Sequence, residues 1–292
     1  MKSLKCLFFF PLFLINYVTY GQKIISVTTI DEFFDAVAPN VTIELAEGNY
    51  DISKLNPEKK SNNVKLEQAQ EYDPINWEPT GAYANQLIII GVSNLKIIGK
   101  GAKPSKIYTP SSAVTVLTFK NCKNITINNI DAGHKAKKGD CSANVIDIID
   151  CETFSIKNSI LYGSGYEGIR AMNVKKLFVT GTTITDCSYM LLDLVNCMNT
   201  SIDSCTFTKT TGGINIMGCL NLTISNSEIS DNTNESSYES FLFDISRSTN
   251  IKIVKLKIEH NKASYLARSS QTLIIDENTE FNENSFYVLF KE

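Results

Sequence analysis

Apolar and polar residues alternate in short runs that return every 22 to 30 residues along most of the chain. The runs align on anchor positions 95, 125, 154, 177, 200, 222, 251 and 273, and an earlier segment at 42–50 places a further anchor at Ile43. Apolar residues also recur two and seven positions after the anchors, and eight and six positions before them. Alternation with a period of two, in runs rich in Ile and Thr, predicts three short β-strands in each repeat.

Asparagine and cysteine each recur at one fixed place between the predicted strands. Asn precedes the anchor in five repeats, at Asn94, Asn124, Asn199, Asn221 and Asn250. Asn tolerates the left-handed backbone conformation, so this pattern predicts a tight corner before the anchor. Cysteines lie three positions before the anchor at Cys122, Cys151, Cys197 and Cys219. We interpret them as stacked buried thiols. Disulfides are the alternative, because neighbouring rungs of a sheet lie about 4.8 Å apart.

Three strands per repeat, joined by corners, predict a solenoid. The chain resembles the right-handed parallel β-helix of pectate-lyase-like proteins over essentially its whole mature length. Segments such as GHKAKKGDCSANVIDIIDC and NSILYGSGYEGI resemble the repeat proteins of secreted bacterial type within that group. Residues 28–39 have a helical pattern that would cap one end. The expected fold is all-β: a single-stranded right-handed parallel β-helix of about nine coils with an N-terminal capping helix.

The first residues have the pattern of a secretory signal peptide. Lys2 and Lys5 precede an apolar run from Leu7 to Ile15, and small and polar residues follow around Gly21. This pattern predicts a signal peptide at 1–21 and a single β-helix domain at 22–292. The apolar run is too short to span a bilayer, so we expect a secreted protein, periplasmic or extracellular, without a membrane span.

Composition and charge narrow the class of partner. The chain of 292 residues has a formal net charge of -3, and no run of basic residues occurs in it. A nucleic-acid partner is therefore not expected.

A column of polar residues is predicted along the outer face of one sheet. The residues seven positions before the anchors are Thr118, Asp147, Arg170, Asp193, Asn215, Asp244 and Leu266. Asp193 interrupts the apolar run Leu191–Val195, and alternation places its side chain on the face opposite Leu192 and Leu194. The flanking outward positions are expected to be apolar, at Val145, Ile149, Met172, Leu191, Val195, Met217 and Leu242. Loops or a ligand should therefore cover this face.

Four long insertions, 51–86, 100–113, 131–144 and 231–240, all fall just before the strand that carries this column. The first contains Trp77 and the third contains His134. Loops beside a rigid sheet commonly carry binding groups, so both residues are candidates for substrate binding. Trp77 could instead form the core of its own loop, and one loop histidine is weak evidence for catalysis.

One functional hypothesis is an enzyme that acts on a polysaccharide, including one that contains uronic acid. Asp147 and Asp193 are two rungs apart, about 9.5 Å, at the upper end of the separation in inverting glycosidases. Arg170 between them could hold a substrate carboxylate. If the enzyme is a lyase, Arg170, His134 or a loop lysine would remove the proton next to that carboxylate. Asp244 and Asn215 would bind substrate. Calcium is the candidate cofactor, since Asp oxygens are its preferred ligands.

Two other hypotheses remain open. The chain could be a non-catalytic module that docks a glycan along the same face, or an interaction solenoid whose charged column is a structural salt network. The polygalacturonase motifs Asn-Thr-Asp-Gly and Gly-His-Gly, and the pectate-lyase motif Arg-x-Pro-x-x-Arg, do not occur. The resemblance therefore transfers no catalytic residue, and the activity, lyase or glycoside hydrolase, stays a hypothesis.

Overall fold

The computed structural model describes residues 22–63, 65–67, 70–80, 84–135, 139–163, 165–234, 239–270 and 272–291. The predicted signal peptide, residues 1–21, lies outside the described residues. None of the helices in the described part is long and apolar enough to cross a membrane.

Three long sheets, built almost entirely of parallel strands, run side by side along the molecule. The anchor sheet comprises Lys23–Val27, Val41–Leu45, Lys96–Gly99, Lys123–Asn128, Glu152–Lys157, Leu177–Thr180, Met198–Asp203, Leu220–Ser225, Thr249–Val254 and Leu273–Ile275. The third sheet comprises Asn49–Asp51, Ser105–Thr109, Ile130–His134, Ile160–Tyr162, Thr183–Thr185, Thr206–Thr208, Glu228–Ser230, Lys257–Glu259 and Glu280–Asn282.

The remaining long sheet, which we call the ladder sheet, carries the predicted polar column. Its strands are Ile75–Thr80, Ala84–Ile90, Leu117–Lys120, Ile146–Ile149, Glu167–Met172, Met190–Val195, Ile214–Met217, Phe241–Ser246, Lys262–Ala267 and Ser285–Phe290. Only the first of them pairs antiparallel with its neighbour in the described part of this sheet. Lys65–Glu67 and Gln70–Tyr72 form a separate antiparallel hairpin.

The strand order confirms a parallel β-helix. Between Ala84 and Asn282 the chain passes eight times through the ladder, anchor and third sheets in turn, and partial coils extend it at both ends. Every predicted anchor from 125 to 273 lies in register with the next, as in the pairs Phe154 with Leu177 and Leu222 with Ile251.

The predicted anchor Ile43 is wrong by two residues. Ile43 pairs with Ile97, which lies two positions after its own anchor. The equivalent anchor is Val41, and Asn40 precedes it in the left-handed conformation with a φ of 60°. Alternation alone does not reveal a shift of two residues, because it keeps the same side chains on the same face.

A short helix covers the N-terminal end of the solenoid, as the sequence predicts. It runs from Ile30 to Ala36 and begins with a capping box, in which Thr29 accepts a hydrogen bond from the Glu32 amide and Glu32 accepts one from the Thr29 amide. Phe33 and Phe34 on its inner face are fully buried in the core. The helix therefore closes this end of the core against water.

Stacked side chains line the corners. The five predicted corner asparagines all have positive φ, between 55° and 59°. Asn94 donates to Asn40 over 2.8 Å, and Asn250 donates to Asn221 over 2.7 Å. The predicted cysteine stack is buried, and all its members are free thiols. Hydrogen bonding to Cys122 and burial raise the pKa of Cys151, so its thiol stays protonated.

Candidate functional site

The polar column on the ladder sheet forms in register over six rungs. Thr118, Asp147, Arg170, Asp193, Asn215 and Asp244 pair one after another along neighbouring strands. We call this column the ladder. It brings together the candidate catalytic residues and the two candidate binding residues of the same sheet.

The predicted last rung, Leu266, is wrong. Phe243 pairs with Ala267, so the residue beside Asp244 is Arg268, while Leu266 is fully buried. The corner that follows Arg268 is two residues shorter than the corner after Asp193 or Asp244, which shifts the count from the anchor. Arg268 donates to the Asp244 carboxylate through Nη2 over 2.8 Å, and its guanidinium lies 4.4 Å from the Phe241 ring. The ladder therefore ends on an ion pair.

Some expected apolar positions beside the ladder point inward. Val145, Leu191 and Leu242 are fully buried members of the hydrophobic core. Val145 directly precedes its ladder strand, and Leu191 and Leu242 are the second residues of theirs, so the regular alternation of buried and accessible side chains begins only after them. The apolar residues after the ladder, at Ile149, Met172, Val195 and Met217, are half-buried on the outer face. These four residues form a half-buried apolar border along the side of the face where the ladder strands end.

Asp193 sits at the centre of the ladder with two polar neighbours. The Asn215 amide donates to its Oδ1 over 2.6 Å, and Arg170 Nε lies 3.9 Å from its Oδ2. The Asp193 side chain is 18 % exposed and the Arg170 side chain 39 %. This arrangement holds one carboxylate in a fixed orientation on an otherwise accessible face.

Asp147 is more deeply buried than Asp193. It is 6 % exposed, and it accepts a hydrogen bond from Asn144 Nδ2 over 2.6 Å. Burial raises the pKa of Asp147, and the hydrogen bond from Asn144 and the charge of Arg170 oppose that rise only in part.

Glu167 is a carboxyl group of this site that the sequence analysis missed. It begins the strand Glu167–Met172, is only 7 % exposed, and interacts electrostatically with Asp147, Arg170 and Asp193. Burial and, next, repulsion by Asp193 raise its pKa to about 7, against the attraction of Arg170. Its carboxyl group receives a hydrogen bond from its own backbone amide but none from another described side chain. Glu167 is therefore a buried proton donor or acceptor that titrates near neutral pH.

Two tyrosines stand at the corner beside Glu167. Tyr166 and Tyr189 are 47 % and 53 % exposed, and their ring centroids are 5.6 Å apart. A cleft of about 310 Å³ opens next to Tyr189 and extends to Asn215 and Asp244. An aromatic surface and a polar cleft thus adjoin the carboxyl groups.

The two loop candidates do not join the ladder. Trp77 is half-buried on the antiparallel strand Ile75–Thr80, and its ring packs against Phe34 of the capping helix at 6.3 Å. Four rungs, about 19 Å, separate the neighbouring strand Ala84–Ile90 from the rung of Asp193. Trp77 instead lines a separate cleft of about 270 Å³ at the N-terminal end.

His134 is buried in the interior. It ends the strand Ile130–His134 of the third sheet, is 2 % exposed, and its Nε2 lies 2.9 Å from the Val114 carbonyl. Burial lowers the pKa of His134, so the imidazole is neutral at physiological pH. This histidine has the surroundings of a structural residue.

The described residues do not assemble a calcium site. Among them no group of three or more His, Cys, Asp or Glu side chains gathers closely enough to hold a metal ion. The ladder carboxylates alternate with Arg170 and Asn215, which supply a positive charge and an amide donor where a cation would need oxygen ligands. The donor set of the ladder does not fit calcium, the candidate cofactor.

The chain belongs to the family described as "Right handed beta helix region", which matches residues 114–286. No curated protein matches the chain. The fold is similar to two structures of PfbA, described as a surface protein and adhesin of Streptococcus pneumoniae. The first structure is 13 % identical over 86 % of this chain and 68 % of that chain, with a TM-score of 0.51. The second is 12 % identical over 86 % of this chain and 62 % of that chain, with a TM-score of 0.54.

An alginate lyase from Paenibacillus sp. str. FPU-7 is 13 % identical over 92 % of this chain and 98 % of that chain, with a TM-score of 0.48. At identities this low, likeness to solved structures defines the fold and no more.

Proposed function

We propose that this protein is an exported β-helix protein that binds a polysaccharide across the ladder sheet and hydrolyses it with Glu167 and Asp193. The observation that carries the proposal is Glu167 itself: a carboxyl group 7 % exposed, with a pKa of about 7, beside Asp193, Arg170 and Asp147. A protein has little reason to bury a carboxyl group without a hydrogen-bonding side chain, since burial of the charged form costs free energy. Titratable groups in such surroundings concentrate at functional sites.

The two carboxyl groups suit the two proton transfers of glycoside hydrolysis. Glu167, half protonated near pH 7, gives its proton to the glycosidic oxygen as the bond from that oxygen to the anomeric carbon breaks. Asp193 takes a proton from the attacking water, whose hydroxyl forms the new bond to the anomeric carbon. Arg170 and Asn215 hold Asp193 in place, and Asp147 helps to raise the pKa of Glu167.

A second candidate is a non-catalytic surface module, because ladder groups also satisfy one another. Asp147 is hydrogen-bonded by Asn144, Asp193 by Asn215, and Asp244 by Arg268. A structural salt and hydrogen-bond network would contain the same contacts. It leaves Glu167 unexplained, which is why we favour the enzyme.

The test incubates the protein of residues 22–292 with neutral and acidic polysaccharides and analyses the products by mass spectrometry. We expect fragments that have gained water, a rate that falls above about pH 7 as Glu167 loses its proton, and a rate at least 100-fold lower for Glu167→Gln. Glu152→Gln, an exposed carboxylate on the anchor sheet paired with Lys123, is the matched control and should keep the full rate.

Two other outcomes would each contradict the hydrolase. Unsaturated fragments would replace the hydrolase by a lyase. Polymers that stay intact under all conditions would contradict the enzyme and favour the surface module.

A further inference from the structure

The cleft beside the ladder offers an aromatic wall. Tyr189 is half exposed at its mouth, and the ring of Tyr166 meets it at 5.6 Å with an angle of 59° between the planes. A cleft volume of about 310 Å³ lies at the lower end of the range found for small-ligand sites. A pyranose ring presents a flat face of C–H groups, which suits packing against a tyrosine ring.

The polar lining of the cleft is rich in hydrogen-bond acceptors. Asn215 uses its amide nitrogen to donate to Asp193, and Asn234 uses its own to donate to the Phe241 carbonyl over 3.1 Å. Each amide group keeps its oxygen as an acceptor besides one further N–H, and Glu239 and Asp244 add carboxylate oxygens to the same cleft, so acceptors outnumber these amide donors. Sugar hydroxyl groups can donate to such oxygens, whereas a uronate carboxylate has no proton to donate at neutral pH.

The charges of the ladder and the cleft also disfavour an anionic sugar. The described carboxyl groups in and beside the ladder and the cleft are Asp147, Glu167, Asp193, Glu239 and Asp244, and the described cations are Arg170, Lys262, Arg268 and Lys291. Three of these cations are paired with carboxylates: Arg170 with Asp193, Arg268 with Asp244, and Lys291 with Glu239. Lys262 lines the adjoining pocket, which shares Asn234 and Ser240 with the cleft. Arg247 is exposed at the opposite edge of the sheet, where it donates to the Met217 sulfur. The described residues that line the cleft itself include Glu239 and Asp244 but no lysine, arginine or histidine, so a substrate carboxylate bound there would meet repulsion.

We infer that this cleft is a subsite for a neutral pyranose, in which Tyr189 packs against the ring and the oxygens of Asn215, Asn234 and Asp244 accept from its hydroxyl groups. This inference rests on the proposed function, in which the rest of the glycan binds along the ladder. It narrows the substrate class from polysaccharides in general to neutral polysaccharides. The uronic-acid-containing substrate considered from the sequence is thereby disfavoured.

The test compares neutral oligosaccharides with matched acidic ones. Cellohexaose, mannohexaose and galactohexaose, and the counterparts of each with C6 oxidised to a carboxylate, are titrated into the Glu167→Gln variant by calorimetry, so that turnover does not interfere. We expect at least one neutral hexaose to bind at least tenfold tighter than its oxidised counterpart. Adding Tyr189→Ala should weaken that binding about tenfold. Tyr287→Ala, an 86 % exposed tyrosine near the far end of the solenoid, is the control and should change nothing.

The outcomes separate this inference from the proposed function. Equal or tighter binding of the oxidised sugars overturns the neutral subsite, while cleavage by the wild-type protein would still support the hydrolase. Neutral binding that survives Tyr189→Ala, with an unchanged melting temperature, overturns the location of the subsite. Neutral binding that is lost in Tyr189→Ala, without cleavage of any polymer by the wild type, supports the subsite and overturns the hydrolase. If none of the six sugars binds, the subsite is overturned.

Discussion

The backbone at Glu167 is fixed by a hydrogen bond to the side chain of Asn144 and by close packing around the next residue, Gly168. Asn144 Oδ1 accepts a hydrogen bond from the Glu167 amide over 3.1 Å, while Asn144 Nδ2 donates to Asp147. Gly168 follows, and a β-carbon there would lie 2.3 Å from Ile184 Cγ2, so the chain can pass this corner only with glycine. The result is a carboxyl group kept from water at the edge of an accessible sheet.

This burial predicts a pH-dependent stability. The pKa of Glu167 is about 7 in the folded protein and near 4.5 in the unfolded chain, so the folded state binds more protons between these values. The free energy of unfolding should therefore fall as the pH rises from 4.5 to 7, by about 3 kcal/mol for this residue. Glu167→Gln removes the titration. The stability of this variant relative to the wild type should rise by about that amount between pH 4 and pH 8.

Guanidinium unfolding followed by circular dichroism at pH 4, 6 and 8 measures the effect. Glu152→Gln changes an exposed carboxylate and should leave the pH dependence of the wild type intact. Parallel curves for wild type and Glu167→Gln would show that Glu167 ionises alike in the folded and unfolded states.

At the scale of one corner, the asparagine stack joins neighbouring coils. Asn221 has a φ of 57°, donates to Asn199 Oδ1 over 3.1 Å and accepts from Asn250 over 2.7 Å. Its side chain thus makes the left-handed conformation favourable and links three successive rungs. Lys176 occupies the same position in another coil without a positive φ, so that coil makes its corner differently.

Asn221→Ala should therefore lower the free energy of unfolding by about 1 to 2 kcal/mol, since it places an alanine in the left-handed region and removes both hydrogen bonds. Lys176→Ala at the equivalent exposed position should change it by less than about 0.5 kcal/mol. Chemical denaturation of the two variants measures the difference. An equal loss in both would mean that the stack adds nothing to the corner.

The constant spacing of the strands within successive coils explains how far the sequence could predict this fold. The inward positions repeat with the same offsets in coil after coil, and the chain pairs them as predicted, from Ile125 to Leu273. The errors at Ile43 and Leu266 occur at the two ends, where corner lengths change and fewer repeats constrain the register. A count along the sequence does not detect a corner that is two residues shorter.

The candidate site was predictable only where it follows the regular alternation of the repeated ladder strands. Asp147, Arg170 and Asp193 meet because strand periodicity places them on one face. Glu167 lies just before the regular alternation, and its burial depends on contacts with a corner that alternation does not describe. The sequence predicts that His134 and Trp77 belong to insertions, but they lie on the strands Ile130–His134 and Ile75–Thr80. The sequence pattern does not reveal to which sheet these two strands belong.

At the scale of the whole molecule, a single hydrophobic core runs from the capping helix towards the last coil. Each coil is supported by its two neighbours, except at the ends. One inward column shows the difference, because Ile184, Phe207, Ile229, Ile258 and Phe281 stack on successive rungs of the third sheet. Phe207 is completely buried, whereas Phe281 in the last coil is 40 % exposed. Stability in a solenoid depends on such contacts between neighbours.

Phe207→Ala should consequently lower the free energy of unfolding by about 3 to 5 kcal/mol, the cost of truncating a fully buried aromatic ring. Phe281→Ala makes the same change in the same column but exposes little new surface, and it should cost less than about 1.5 kcal/mol. Guanidinium denaturation of both variants compares the total stabilities, and amide hydrogen exchange shows where protection is lost. Phe207→Ala should reduce protection in the coils on both sides of residue 207, while Phe281→Ala should affect the last coil alone. Equal losses from the two substitutions would mean that the solenoid unfolds as one unit, in which the terminal coil contributes as much as a central one.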